Sequence, residues 1–229
     1  MLEDALQRIA QFKGASLTER IAQLEARVRG ASLESIQAQN ARAGIDRSLM
    51  SAAASVKKAS AQIDVVIHSA GILYSLPHIL EPGETVLSAS LGAGNAGSDF
   101  DLVTSKRIAE FKFIYWQGGS GESVRKKSFF EDYFKLVREP TDKSRFFYLL
   151  NVEIPLRFLK GRSNSVRMLD KNAHLADDFK RLYGTRFPTV GEYHAANEGA
   201  VQFIDLVKLA PGLKEFIGLS DTEDATRAA

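Results

Sequence analysis

The sequence contains no cysteine, and this absence excludes several classes of protein. Disulfide-stapled folds, thiol nucleophiles and zinc ribbons all depend on cysteine. A metal ion would therefore have to bind Asp, Glu, His or backbone oxygen. The H-E-x-x-H and G-x-S-x-G motifs are also absent, so the sequence offers neither a zinc-protease site nor a serine-hydrolase nucleophile elbow.

Charge of one sign is not in excess either. The 30 Lys and Arg residues nearly balance the 28 Asp and Glu residues, which gives a formal net charge of +2 and no strong overall field. Hydrophobic residues make up 45% and charged residues 25%, so the chain is expected to fold in water. The longest stretch without a charged residue, 65–80, is short for a membrane span. The first residues include acids and no apolar segment of the signal-peptide type, and we expect a cytoplasmic protein without membrane association.

Residues 1–63 have the pattern of an N-terminal helical extension. Apolar residues recur there at spacings of four, three and four, on one face of a helix: Leu17, Ile21, Leu24 and Val28. Glycines at positions 14 and 30, each followed closely by a serine, divide the region, and we predict three helices. The apolar face is expected to pack against the main domain, or alternatively to contact a partner subunit or a second copy in a homodimer.

Residues 64–151 change between helix-like and strand-like patterns in the order α-β-β-β-α-β. The predicted segments are a helix at 64–80, strands at 84–91, 99–105 and 107–116, a helix at 122–138 and a strand at 145–151. Residues 152–219 are expected to complete the same domain with helices at about 170–183 and 189–209. Residues 220–229 are polar and are expected to form a disordered tail.

A β-hairpin is predicted where the second and third strands meet, because almost nothing separates them. With a two-residue turn at 105–106, the numbers of paired residues sum to 211, which places Asp101 opposite Glu110. The same register places Asp99 opposite Lys112. Residues two apart on a strand share a face, so Glu110 and Lys112 lie together while the opposite face is apolar. A slip of one residue would reverse the faces, so the alternation supports this register.

Two carboxylates that face each other across a sheet repel each other, which favours a cation between them. Mg²⁺ prefers oxygen ligands and typically takes one or two carboxylates, with water and substrate phosphate completing its shell. An ion held by Asp101 and Glu110 would generate a hydroxide and stabilise charge on a phosphodiester. Lys112 would orient the attacking water or neutralise the phosphate. The alternative is a solvent-exposed face on which Glu110 and Lys112 are only neighbours.

Asp101, followed after eight residues by Glu110-Phe111-Lys112, resembles the D-x(n)-(D/E)-x-K signature of the PD-(D/E)XK nuclease superfamily. The strings GAGNAGSDFDL and AEFKFIYWQGG are also similar to uncharacterised bacterial nuclease-like proteins. The resemblance implies an α/β fold with a restriction-endonuclease-like αβββαβ core and a mixed central sheet over residues 64–151. It further implies that Asp101, Glu110 and the Phe111 carbonyl bind Mg²⁺, with Mn²⁺ as a substitute, and that Lys112 is catalytic.

The chain departs from the family pattern in its first core helix, where many members carry an additional Glu. The predicted helix at 64–80 has no acid after Asp64. Glu84, near the junction of this helix with the first strand, is a candidate secondary acid, or alternatively a solvated strand end. Asp99, placed to pair with Lys112, is a second candidate.

The resemblance leads us to expect a Mg²⁺-dependent endonuclease that hydrolyses phosphodiester bonds of DNA in restriction, phage defence or repair, with RNA as an alternative substrate. The basic run Arg125-Lys126-Lys127 is expected to bind nucleic-acid phosphates, or alternatively to be a solvated face. The competing hypothesis is a non-catalytic nucleic-acid-binding or assembly module of the same fold, which docks a partner subunit through its N-terminal helices. The intact acid and lysine signature favours the enzyme.

Overall fold

A computed structural model of the protein describes residues 2–92, 99–114, 116 and 122–215. The chain divides between Asp64 and Val65 into two compact units. The tail expected at 220–229 lies outside the described residues. Within the described part of the chain, no helix has both the length and the apolar character needed to cross a membrane.

The first unit is helical. Its described residues form α1 (Leu2–Lys13), α2 (Leu17–Val28), α3 (Leu33–Ala43) and α4 (Arg47–Ala59). The sequence predicts three helices in this region, but the chain turns once more at Gly44, whose φ of 68° suits glycine. Asp46 then caps α4 by accepting a hydrogen bond from the Leu49 N–H at 2.8 Å. Arg8 of α1 pairs with Asp46 at 2.9 Å and holds this turn.

The second unit is an α/β structure built around a five-stranded sheet. Its elements are α5 (Ile63–Ile79), β1 (Val86–Ala89), β2 (Leu102–Thr104), β3 (Arg107–Lys112), α6 (Glu122–Arg138), β4 (Ser144–Leu149), α7 (Glu153–Leu159), α8 (Ser165–Met168), α9 (Ala173–Tyr183), α10 (Val190–Ala196), β5 (Gln202–Asp205) and α11 (Leu206–Leu209), followed by a 3₁₀ helix at Pro211–Leu213. From α5 to β4 the order of elements agrees with the predicted order α-β-β-β-α-β.

The C-terminal segment, which the sequence predicts to be helical, also contains a strand. The predicted helix over 189–209 is wrong, because α10 ends at Ala196 and the chain then forms β5. β5 pairs in parallel with β4, and the rings of Phe203 and Phe147 stack with their centroids 6.1 Å apart. Pairing with a distant segment thus overrides the local helical pattern.

The sheet has the strand order β1-β2-β3-β4-β5. β1, β2 and β3 are antiparallel neighbours, whereas β3, β4 and β5 run parallel, so the sheet is mixed. In the β2–β3 hairpin Leu102 pairs with Ala109, and Val103 pairs with Ile108. These numbers sum to 211, so the predicted register and the two-residue turn at 105–106 are confirmed.

Each face of the sheet is covered by an apolar core of its own. Ile108 packs on the face covered by α6, together with Phe129 of that helix. Ala109 and Phe111 pack on the opposite face with Ile72 of α5. Because side chains alternate along a strand, Glu110 shares the α6 face with Ile108. A carboxyl group is thereby placed between the sheet and a helix that is otherwise largely apolar on this side.

A buried ion pair lies at the turn end of the hairpin. Arg107 of β3 donates two hydrogen bonds to the Glu84 carboxylate, from Nε at 2.6 Å and from Nη2 at 2.6 Å. The Thr104 hydroxyl also donates to Glu84, and Arg107 donates to the Tyr148 hydroxyl at 2.9 Å. Burial alone would raise the pKa of Glu84, but the hydrogen bonds from Arg107 and Thr104 outweigh burial and lower this pKa to about 2. Glu84 is therefore ionised, and both of its carboxylate oxygens accept hydrogen bonds within the protein.

Candidate active site

The β2–β3 hairpin brings Asp101 and Glu110 together. Asp101 directly precedes β2, and in the register of the hairpin it lies opposite Glu110 of β3. Its Oδ2 accepts a hydrogen bond from the backbone N–H of Phe111 at 2.9 Å. The carboxylate thus satisfies a strand N–H at the point where backbone pairing with β2 ends, which fixes Asp101 beside Glu110.

Glu110 is a buried carboxyl group in a negatively charged environment. The residue is 5% exposed. Burial raises the pKa of Glu110 well above its ordinary value, and the charges of Asp132 and Asp101 raise it further, against the opposing effect of Lys112. Glu110 therefore retains its proton in the protein alone, at a pH where a surface glutamate has released it.

Lys112 lies on the same face of β3, and α6 supplies its partner. The Lys112 Nζ atom is 2.6 Å from Oδ2 of Asp132. Burial alone would lower the pKa of Lys112, but the charge of Asp132 and its hydrogen bond with Lys112, together with the charge of Asp101, outweigh burial and raise this pKa. Lys112 is therefore a cation at neutral pH. Asp101, Glu110, Lys112 and Asp132 are called the acid–lysine cluster below.

Asp101 is held from a second direction by α5. The Nε2 atom of His68 lies 3.2 Å from Oδ1 of Asp101. Burial would raise the pKa of Asp101, but the contact with His68 and the hydrogen bond from Phe111 outweigh it and lower this pKa. The two facing carboxyl groups thus differ, since Asp101 is stabilised as a carboxylate while Glu110 is stabilised as an acid.

Sequence reasoning missed two of these residues, His68 and Asp132. Both interrupt an apolar helix face. His68 precedes the buried residue Ile72 by one helical turn, and Asp132 lies three residues after the buried Phe129. A polar side chain on a face that is otherwise buried is the signal that marks such positions. The family pattern predicts an additional acid on the first core helix, whereas the structure supplies one, Asp132, from α6, the second core helix.

The structure does not bring the two candidate secondary acids to the cluster. β2 begins only at Leu102, so the ladder does not extend to Asp99, which is exposed. The expected pair of Asp99 with Lys112 is therefore wrong, because Lys112 pairs with Asp132. Glu84 is bound to Arg107 at the turn end of the hairpin and is structural in this environment.

The basic run at the start of α6 is partly neutralised within the protein. Lys126 pairs with Glu122 at 2.7 Å, and Lys127 pairs with Asp170 at 2.6 Å. Arg125 has no ion pair with any described residue, and it lines a cavity together with Lys112. Of the three residues expected to contact phosphate, Arg125 is the one that the structure brings next to the acid–lysine cluster.

The donor set fits a hard divalent cation. Asp101 and Glu110 offer two carboxyl groups from neighbouring chain segments, and Mg²⁺ typically takes one or two carboxylates while keeping water and substrate oxygen in its other positions. Because the pKa of Glu110 is raised, a cation that binds both carboxyl groups would have to displace the Glu110 proton. Among the described residues, no group of three or more His, Asp or Glu side chains is arranged to hold a metal ion. The site thus fits an ion bound by two carboxylates, with the Phe111 carbonyl as the further ligand that the resemblance implies.

Comparisons with known proteins found no relative of this chain. No protein-family model, no curated protein and no solved structure matches it. A functional assignment therefore rests on the residues of the acid–lysine cluster and their surroundings.

Proposed function

We propose that the protein is a Mg²⁺-dependent endonuclease that hydrolyses phosphodiester bonds of DNA. The observation that carries the proposal is the buried carboxyl group of Glu110, which lies among the charges of Asp101 and Asp132 with Lys112 beside them. Stability alone disfavours such a concentration of acids in a low-dielectric interior. A divalent cation at Asp101 and Glu110 offsets this repulsion.

Each residue of the site has a role that follows from its surroundings. Asp101 and Glu110 are the residues that would hold the cation. When bound there, Mg²⁺ supplies Lewis-acid stabilisation of charge on a phosphoryl oxygen. His68 and the Phe111 N–H orient the Asp101 carboxylate and keep it ionised, so that one negatively charged ligand is in place before the ion arrives.

Lys112 acts as a cation and not as a base. Its raised pKa keeps the ammonium group protonated at neutral pH, and a protonated lysine accepts no proton from water. It donates hydrogen bonds to a phosphate oxygen and neutralises charge that builds up there during hydrolysis. Of the two roles that the sequence suggests for Lys112, this environment favours charge neutralisation.

Replacing Asp132 by asparagine is expected to slow DNA cleavage about 10- to 100-fold, the usual cost of losing a residue that orients a catalytic group. The amide keeps the shape of the side chain but removes the charge that holds Lys112 at 2.6 Å. Steady-state cleavage kinetics should show the loss in kcat, with a smaller change in KM.

The matched control is Asp177→Asn on α9. Asp177 pairs with Lys180 at 3.2 Å, but both side chains are exposed, so this variant is expected to cleave at the wild-type rate. Asp132→Glu restores the charge and should recover part of the activity. Full activity in Asp132→Asn would mean that Lys112 needs no partner to act.

The substrate class is supported by the resemblance of Asp101, Glu110 and Lys112 to the PD-(D/E)XK signature. The observed order of elements from α5 to β4 agrees with the order of that core. DNA is therefore the proposed substrate, RNA is the alternative, and restriction, phage defence or repair is the proposed setting by analogy. The proposed location is the cytoplasm, where DNA or RNA would be accessible to such an enzyme.

Cleavage with and without metal tests the proposal. Supercoiled plasmid, single-stranded DNA and RNA are incubated with the protein in Mg²⁺ or Mn²⁺, and in parallel with EDTA. We expect cleavage of DNA with either metal and none with EDTA, because the bound cation would stabilise charge on the phosphoryl oxygen during hydrolysis. A protein that binds DNA but cuts no substrate with any of the common divalent ions would contradict the proposal.

A non-catalytic assembly module is the second candidate. Helices of the first unit expose apolar side chains, among them Leu6 at 51% and Leu33 at 67%. Exposed apolar residues of this kind are compatible with a partner subunit or a homodimer. This candidate gains support if DNA is retarded in a gel without being cut and the protein forms a stable oligomer.

A further inference from the structure

A cavity of about 220 Å³ opens directly beside Lys112. It lies at the carboxyl ends of the parallel strands β3 and β4, the edge at which open α/β sheets commonly bind ligands. Its walls come from the end of β3, from the first turns of α6 and from the residues after β4. The described lining residues are Lys112, Ile114, Trp116, Val124, Arg125, Ser128, Phe129, Leu149, Asn151 and Pro155.

The charges at this cavity are of one sign. Its two charged lining residues are Lys112 and Arg125, and none of the ten described lining residues is acidic. Arg125 has no ion pair with a described residue and is free to contact a ligand. Lys112 is already paired with Asp132, which is not among the described lining residues, so Arg125 is the unpaired charge at the cavity, and the ligand that complements it is anionic.

The walls are mostly apolar, with polar groups at two places. Trp116 and Phe129 are buried, and Ile114 and Val124 contribute half-exposed aliphatic surface. Asn151 also lines the cavity; its Oδ1 accepts a hydrogen bond from Glu153, and its Nδ2 bonds no described residue. The volume lies below the roughly 300–1,000 Å³ of pockets that hold drug-sized ligands, so it suits a single ring system.

We propose that this cavity binds one unpaired nucleobase of the nucleic-acid strand, with the phosphate of the same nucleotide towards Lys112 and Arg125. A nucleobase combines a flat ring system, which suits apolar and aromatic walls, with polar edges, which suit Asn151 and Ser128. The attached phosphate supplies the negative charge. The inference rests on the proposed nuclease function and deepens it, because a base in this cavity is unstacked and the preferred substrate is single-stranded or locally unpaired DNA.

The only tryptophan in the chain, Trp116, lines the cavity, so tryptophan fluorescence reports on its occupation. A single-stranded oligonucleotide is titrated into the whole 229-residue chain in EDTA, where no metal-dependent cleavage occurs. The same backbone with abasic sites and the matching duplex are titrated in parallel. We expect the base-bearing single strand to quench Trp116 and to bind at least about fivefold more tightly than the abasic strand. Equal quenching and equal affinity for these two strands would overturn the proposal.

Two serine-to-phenylalanine variants on α6 test whether the preference for the base-bearing strand arises in this cavity. Ser128→Phe fills the cavity from its wall and is expected to lower the affinity for the base-bearing strand to that of the abasic strand. Ser123→Phe makes the same change at an exposed position outside the cavity lining and should bind like the wild type. Unchanged binding by Ser128→Phe would overturn the proposal.

The binding experiment and the cleavage assay can fail independently, so the base pocket and the nuclease function are tested separately. Base-dependent quenching without cleavage in any metal would support the cavity and reject the nuclease. Cleavage with equal binding of base-bearing and abasic strands would support the nuclease and reject the base pocket.

Discussion

Replacing Glu110 by glutamine is expected to lower DNA cleavage about 10²- to 10³-fold or more, because a metal ion contributes several kcal/mol to the stabilisation of a phosphoryl transition state. Glutamine keeps the size of the side chain but offers only a neutral amide oxygen where the cation needs a carboxylate. Mn²⁺ affinity, measured by calorimetry, should fall together with the cleavage rate. The matched control Glu198→Gln lies at an exposed position and is expected to leave both quantities unchanged.

The same variant is expected to fold normally. Burial and the neighbouring acids hold the pKa of Glu110 well above its ordinary value, so the native protein without metal contains a neutral carboxyl group that an amide replaces closely. The free energy of unfolding in EDTA should change by less than about 1 kcal/mol. Wild-type cleavage by a folded Glu110→Gln variant would place the chemistry at another site.

The hairpin that carries this site could be predicted from the sequence because its determinants are local. A two-residue turn and strict alternation of apolar residues fix the register, and the observed pairs Leu102–Ala109 and Val103–Ile108 follow it. The prediction fails at Asp99 for a reason that is also local. The predicted alternation begins at Asp99, but β2 begins only at Leu102, and Asp99 lies before it on an exposed segment that is not paired with β3.

The remaining parts of the site depend on contacts between distant segments. Asp132 reaches Lys112 only because α6 packs on the sheet, and His68 reaches Asp101 only because α5 covers the other face. Neither pair has a spacing that a sequence pattern would reveal. β5 was missed for the same reason, since pairing with β4 makes it a strand in a region whose local pattern predicts a helix.

Replacing Arg107 by methionine is expected to lower the free energy of unfolding by about 3–5 kcal/mol, because it leaves the buried Glu84 carboxylate without its counter-charge. Methionine retains much of the apolar volume of arginine, so packing loss is a minor part of this effect. Urea unfolding at neutral pH measures it. The neighbouring pair supplies the control: Lys106 lies 2.8 Å from Glu81, but both side chains are exposed, and Lys106→Met should cost at most about 1 kcal/mol.

The double variant Glu84→Leu/Arg107→Met distinguishes two causes of this loss of stability: the unpaired charge of the buried Glu84 carboxylate and the loss of the other contacts of Arg107. If the loss in Arg107→Met comes from the uncompensated carboxylate, removing that carboxylate should recover most of the stability.

The pH dependence of the free energy of unfolding gives a second readout. Since the pKa of Glu84 is lowered from 4.5 to about 2, the wild type has this stabilisation in full above pH 4.5 and loses it as the pH falls towards 2. The double variant should not lose stability in that way. Failure of the double variant to recover at neutral pH would show that the uncompensated carboxylate is not the main cause of the loss, and the contacts of Arg107 with the Tyr148 hydroxyl and the ring of Phe146 would then account for part of it.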